Sequence, residues 1–92
     1  MADERRFQLR VDGLAAQPLD DEVVVLDLHT SSYLLLNSTG ATLWPVLQGG
    51  ATLDALAAVL VTEFEIGHAD ALRDAASFVA ELERLGLVTA GC

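Results

Sequence analysis

Ninety-two residues, 52% of them hydrophobic, suffice for one domain with a core and exclude a second. Fourteen acidic side chains against five arginines and no lysine give a formal net charge of −9, which argues against a nucleic-acid reader built on clustered cations. The one cysteine, Cys92, excludes an internal disulfide and a cysteine-rich metal site, and it fits a reducing compartment. No apolar h-region follows Met1 to Arg6, and no run reaches membrane-spanning length. A soluble, cytoplasmic protein that binds no membrane is therefore expected.

Residues 1–6 read as a flexible N-terminus. Phe7-Gln8-Leu9-Arg10-Val11 alternates apolar and polar, the period of a half-buried strand, and Asp12-Gly13 ends it. Leu14 to Asp21 contains Pro18 and no clear period, and reads as a connecting loop. Val23 to Leu28 and Ser32 to Leu36 then form the two arms of a hairpin around His29 to Ser31. In the first arm Val23, Val25 and Asp27 share one face, and Val24, Leu26 and Leu28 the other. In the second, Tyr33 and Leu35 oppose Leu34 and Leu36. Both faces are apolar, which predicts helices on one face and another contact on the second.

Everything after Leu36 reads as helix. The first helix is expected from Ser38 or Thr39 to about Gln48, with Asn37 or Ser38 as its N-cap, a kink or late start at Pro45, and a stop at Gly49-Gly50. Thr52 caps a second helix that carries Leu53, Leu56, Ala57, Leu60 and Val61 on one face and ends near Phe64. A third begins around His68, with Leu72, Ala75, Val79 and Leu82 on one side and Phe78 and Leu85 flanking. Gly86 stops it, Leu87-Val88 tucks back as a short extended end, and 89–92 is a flexible tail. The expected fold class is α+β and winged-helix-like: a three-stranded antiparallel sheet followed by three helices, in one domain over 7–88.

No side-chain constellation points to catalysis. His29 and His68 lie far apart without a third ligand type beside them, so no metal site is expected. No serine sits in a nucleophile turn, Gly49-Gly50 lacks the lysine of a phosphate loop, and Glu81-Glu83 reads as a solvated helix face. The helix pair over 52–86 has the look of a helix-turn-helix, yet Arg73 and Arg84 stand among Asp70, Asp74, Glu81 and Glu83, the wrong sign for a DNA groove. A sheet edge remains: if Ser32–Leu36 is an edge strand, its outward N–H and C=O groups accept one more strand. Coverage of that edge by the protein itself or by a dimer partner is the competing reading.

The stretches Val24-Val25-Leu26-Asp27, Tyr33-Leu34-Leu35-Leu36-Asn37-Ser38-Thr39-Gly40-Ala41, Leu43-Trp44, Gly49-Gly50-Ala51-Thr52 and Asp74-Ala75-x-x-Phe78-Val79-x-x-Leu82-x-x-x-Gly86-Leu87-Val88 occur in an order and spacing that resembles the PqqD family. Members of that family are recognition elements and peptide chaperones of ribosomally made, post-translationally modified peptides. The resemblance runs from about Phe7 to Val88. It implies a three-stranded sheet backed by three helices, and a leader peptide added along the third strand in the cleft beside the third helix. On this chain the implied peptide-binding residues are Ser32, Tyr33, Leu34, Leu35 and Leu36 on the strand and Asp74, Phe78 and Glu81 on the helix. The opposite shoulder, Ala69, Leu72, Arg73 and Ala76, is the alternative. In place of the Leu-Leu-x-Pro-Glu-like segment of the pyrroloquinoline quinone branch, the chain has Asp-Leu-His-Thr-Ser-Ser over 27–32. It looks closer to the stand-alone members found with lasso peptides.

The expected function is thus non-enzymatic and needs no cofactor. The chain binds the leader of a precursor peptide by β-strand addition and delivers it to a separate modifying enzyme or leader peptidase. The alternatives are a winged-helix DNA-binding transcriptional regulator and a structural homodimer that pairs its own edge strands.

Overall fold

A computed structural model describes residues 5–10 and 12–91. The chain runs β1 (Arg6–Leu9), β2 (Leu14–Leu19), β3 (Glu22–Asp27), β4 (Ser32–Leu36), α1 (Ser38–Gln48), α2 (Leu53–Phe64), α3 (His68–Arg84) and β5 (Val88–Gly91). The α+β class and the three-stranded antiparallel sheet followed by three helices agree with the sequence, but the sheet is β2-β3-β4. Two expectations are corrected. The segment expected as a loop over 14–21 supplies β2, closed onto β3 by the turn at Asp20-Asp21 with Leu19 opposite Glu22. The strand expected at Phe7 leaves the main sheet and pairs with β5, Phe7 opposite Ala90 and Leu9 opposite Val88.

Residues 89–91, expected in a free tail, therefore form part of a two-stranded ribbon. Of the expected flexible N-terminus, Arg6 opens β1 opposite Gly91 and the Arg5 guanidinium lies 5.0 Å over the Phe7 ring, while 1–4 and Cys92 lie outside the described residues, as does Val11. Phe7 also exchanges two backbone hydrogen bonds with Ala51, 2.7 and 2.9 Å, which fastens β1 to the α1–α2 connection.

The helices form where their caps are. The Asn37 Oδ1 accepts from the Gly40 N–H at 3.0 Å and the Thr52 Oγ1 from the Ala55 N–H at 3.2 Å, each satisfying a first-turn donor that has no partner within the helix. Pro45 lies inside α1, which runs on through it to Gln48. At the end of α3, Gly86 takes φ +75° while its N–H donates to the Glu83 carbonyl and the Leu87 N–H to the Leu82 carbonyl. This is a Schellman ending, in which a residue without Cβ adopts the left-handed conformation at little cost. It reverses the chain so that Leu87 and Val88 enter the core.

The core lies between the inner face of the sheet and the helices: Val25 and Leu36 from the sheet, Leu43, Trp44 and Leu47 from α1, Leu56, Ala57 and Leu60 from α2, and Ala71, Ala75, Val79 and Leu82 from α3. These are the faces the helical and strand periods predict, except that Ala71 takes the fully buried place expected of Leu72, which is half-buried. Among the described residues no element covers the outer face of the sheet, and Leu26, Tyr33 and Leu35 are exposed there.

Candidate functional site: a cleft between a free strand edge and the third helix

The direction of the backbone polar groups follows from register. The Leu28 N–H donates to the Gly13 carbonyl at 2.7 Å, so Gly13 and Leu28 are a hydrogen-bonded pair. Alternation along an antiparallel ladder then turns Val24 and Leu26 toward β2, and Val23, Val25 and Asp27 toward β4. On β4 the partners of those last three, Leu36, Leu34 and Ser32, spend their backbone groups inside the sheet. The N–H and C=O groups of Tyr33 and Leu35 point to the free edge. The same alternation places Pro18, opposite Val23, with its nitrogen at the outer edge of β2. That edge lacks a donor in its middle and is blunted against strand addition, whereas the β4 edge is complete.

Side chains alternate the other way. Leu34 and Leu36 turn toward the helices, half-buried and buried, while Tyr33 and Leu35 stand on the outer face. Beside the β4 edge three cavities follow one another along α3. The first, about 280 Å³, is lined by Ser32, Tyr33 and Leu34 from β4, by Arg84 and Leu85 from the end of α3, and by Leu87. The second, about 250 Å³, lies between Leu34, Leu35 and Leu36 on one side and Phe78, Glu81 and Leu82 on the other. The third, about 390 Å³, continues over Thr39 and Gly40 to Asp74, Ser77, Phe78 and Glu81. All the strand and helix positions expected for peptide binding thus border one cleft. None of the other shoulder, Ala69, Leu72, Arg73 and Ala76, lines these cavities.

Gly40 shapes the cleft floor. A Cβ there would lie 3.0 Å from the Phe78 Cε1 and 3.2 Å from the Leu36 Cβ, so the bare backbone lets the Phe78 ring lie back against α1. Gly40, Leu82, Arg84, Leu85 and Leu87 also line the cavities, although none of them is among the binding residues expected from the sequence. The available signal was a glycine in the first turn of a capped helix, where it is weaker than alanine by about 1 kcal/mol and calls for a packing reason.

The charges along α3 are mostly engaged. Arg84 grips Glu81 with two hydrogen bonds, Nη2 to Oε1 at 2.5 Å and Nε to Oε2 at 3.1 Å, and Arg73 pairs with Asp70. The Arg84 hydrogen bonds hold the Glu81 carboxyl below the usual carboxylate range, and Glu81 in turn raises the Arg84 guanidinium. Both arginines that a DNA reading would need on α3 are thus partnered on their own helix. No group of His, Cys, Asp and Glu among the described residues is placed to hold a metal ion, and no described helix is long and apolar enough to cross a membrane.

Asp27 closes the far end of the cleft. Burial pushes its carboxyl up, but the Arg10 guanidinium at 2.5 Å, the His29 backbone N–H at 3.0 Å and the Thr30 hydroxyl together hold it below its ordinary 3.8. A carboxylate whose folded value is depressed adds stability above its unfolded value and loses it as pH falls through the folded one. The melting-temperature gap between the parent and Asp27→Asn is therefore expected to be present at pH 6 and to close below about pH 3.8. Thermal melts monitored by circular dichroism measure it, and a gap independent of pH contradicts the assignment.

Residues 22–88 match the family described as Coenzyme PQQ synthesis protein D (PqqD). The chain belongs to the PqqD family. Among solved structures, this PqqD-family chain is similar to TbiB1 in complex with the TbiA(beta) leader peptide, at 26% identity and a TM-score of 0.78 over 88% of this chain and 93% of that one. It is also similar to lasso peptide synthetase B1 complexed with the leader peptide, at 31% identity and a TM-score of 0.77 over 90% and 96%. No curated protein sequence matches it.

Proposed function

We propose that this PqqD-family chain captures the leader segment of a ribosomally made precursor peptide as an added strand on the β4 edge and delivers it to a separate modifying enzyme or leader peptidase. The observation that carries the reading is the complete, unpaired β4 edge facing a row of cavities on α3, in a chain whose similar structures are named as leader-peptide complexes. The outward groups of Tyr33 and Leu35 supply the ladder. Ser32, Leu34 and Leu36 line the strand side of the cleft, and Phe78, Asp74 and Glu81 its helix side. Main-chain bonds give affinity with little sequence demand, and the cavities select side chains. The chain does no chemistry itself; it raises the local concentration of peptide at the enzyme.

The test is a titration with synthetic leader peptides of lasso-peptide precursors, about ten to twenty residues long. Amide resonances of 32–36 and of α3 are expected to shift together, and shifts confined to α2 refute the site. Raising salt from about 0.05 to 0.5 M is expected to weaken binding by less than about tenfold, because exposed ion pairs contribute only about 1 kcal/mol or less. Duplex DNA is expected not to bind at either salt, its phosphates meeting a net charge of −9. Micromolar DNA binding that collapses with salt would restore the transcriptional regulator.

A further inference from the structure

The outer face of the sheet has no role in the capture just described. Leu19 is 51% exposed, Leu26 44%, Leu28 63%, Tyr33 76% and Leu35 52%, and all share that face by strand alternation. The register sets Leu26 beside Tyr33 and Val24 beside Leu35, so the side chains form one patch rather than scattered contacts. Contiguous exposed apolar surface of this kind marks an interaction site. Within the three strands of this sheet the carboxylates meet no cationic side chain of the same segment. From residue 14 to 36 there is no Lys or Arg, and Asp20, Asp21 and Glu22 at the β2–β3 turn make no ion pair among the described residues.

We propose that this face docks the enzyme that processes the captured peptide, through an apolar patch on that enzyme bordered by Lys or Arg side chains. The inference rests on the leader-capture reading. Two observations select this occupant. The unpaired acids at the turn and the net charge of −9 oppose a second copy of the chain and favour a cationic border. The face is also continuous with the cleft: a strand added to β4 extends the same sheet, so alternate leader side chains emerge on the outer face beside Tyr33 and Leu35. An enzyme seated there touches recognition protein and leader at once. Each then raises the other's affinity, because coupling between two bound ligands is reciprocal.

The experiment uses the full chain, a leader peptidase from the same genome, and the fluorescein-labelled leader peptide that this peptidase cleaves. Enzyme binding is measured first without leader and then with it, and leader binding separately by anisotropy. The variant is the double substitution Leu26→Gln with Leu28→Gln, which leaves the outward backbone groups of β4 and the cavity wall of α3 unaltered. Leader affinity is expected to stay within about twofold of the parent, and enzyme affinity to fall at least about tenfold. The companion variant Asp20→Lys with Asp21→Lys is expected to weaken the enzyme several-fold and to flatten its salt dependence. Enzyme affinity unchanged in both variants overturns the docking proposal and leaves leader capture standing. Loss of enzyme binding in the variants of a parent that binds no leader supports the docking face and refutes the capture. A parent dimer in sedimentation velocity that Leu26→Gln with Leu28→Gln dissolves overturns the proposal in favour of a second copy.

Discussion

A proline at position 35 is expected to cost roughly 30- to 150-fold in leader affinity while the protein still folds, and a proline at position 34 is expected to damage the fold instead. The register decides between them. The Leu35 N–H points to the free edge, so Leu35→Pro deletes the donor that a leader carbonyl would accept from and leaves that carbonyl unsatisfied against the sheet, about 2–3 kcal/mol in all. Nothing inside the domain depends on that N–H, and proline is tolerated on an edge strand. Leu34 is half-buried and bonded to Val25, so Leu34→Pro breaks an interior ladder bond at about 3 kcal/mol or more, a large share of the stability of a small domain. Leu35→Ala keeps the donor and is expected to bind within about threefold of the parent. Isothermal titration together with thermal melts separates the cases. If Leu35→Pro folds and binds like the parent, the leader does not add as a strand to β4.

Removing the Phe78 ring is expected to have the next largest effect. The ring forms a wall of two of the three cavities and is only half-buried in the free protein. Phe78→Ala withdraws apolar surface that a leader side chain would cover, about 1.5–2.5 kcal/mol at 25 cal/mol per Å², or roughly 10- to 60-fold in affinity. Gly40 tests the same ring from behind. Gly40→Ala places a Cβ 3.0 Å from the Phe78 Cε1, and the ring yields toward the open cleft rather than into the packed core. The gain of about 1 kcal/mol in helix propensity offsets the crowding, so stability is expected to change little while leader affinity falls about tenfold. Combining Gly40→Ala with Phe78→Leu gives the crowded ring a smaller substitute and is expected to recover part of the loss. Equal affinities for parent, Phe78→Ala and Gly40→Ala place the leader elsewhere.

The local elements were legible in the amino-acid sequence because their causes are local. Asn37 and Thr52 announce two helix starts by side-chain oxygens that cap first-turn donors, and Gly86 announces the end of α3 by tolerating φ +75°. The alternation in 32–36 gave the faces of β4, and the three-residue and four-residue spacing of Asp74, Phe78 and Glu81 put them on one shoulder of α3. β2 was not legible: five of its six residues are exposed, it shows no alternation, and it holds Pro18, since an edge strand with one open face needs no apolar period. The partner of β1 was not legible either, because Phe7 and Ala90 meet across almost the whole chain and no local pattern encodes such a pairing.

What the sequence by itself determined is therefore the order and type of most elements, the absence of clustered cations, and residues that border the cleft between β4 and α3. Only the tertiary structure decided which edge and which shoulder make that cleft. Two strands, β2 and β4, lie at the borders of the sheet, and register with β3 sets the direction of every N–H and C=O. That direction is a property of pairing, not of residue type. The packing of α3, through Ala71, Ala75, Val79 and Leu82, fixes the helix rotation that turns Phe78 toward β4. The same packing uses one face of the sheet alone, and so leaves Leu26, Tyr33 and Leu35 in solvent, where the apolar period of the strands calls for a contact that none of the described residues provides.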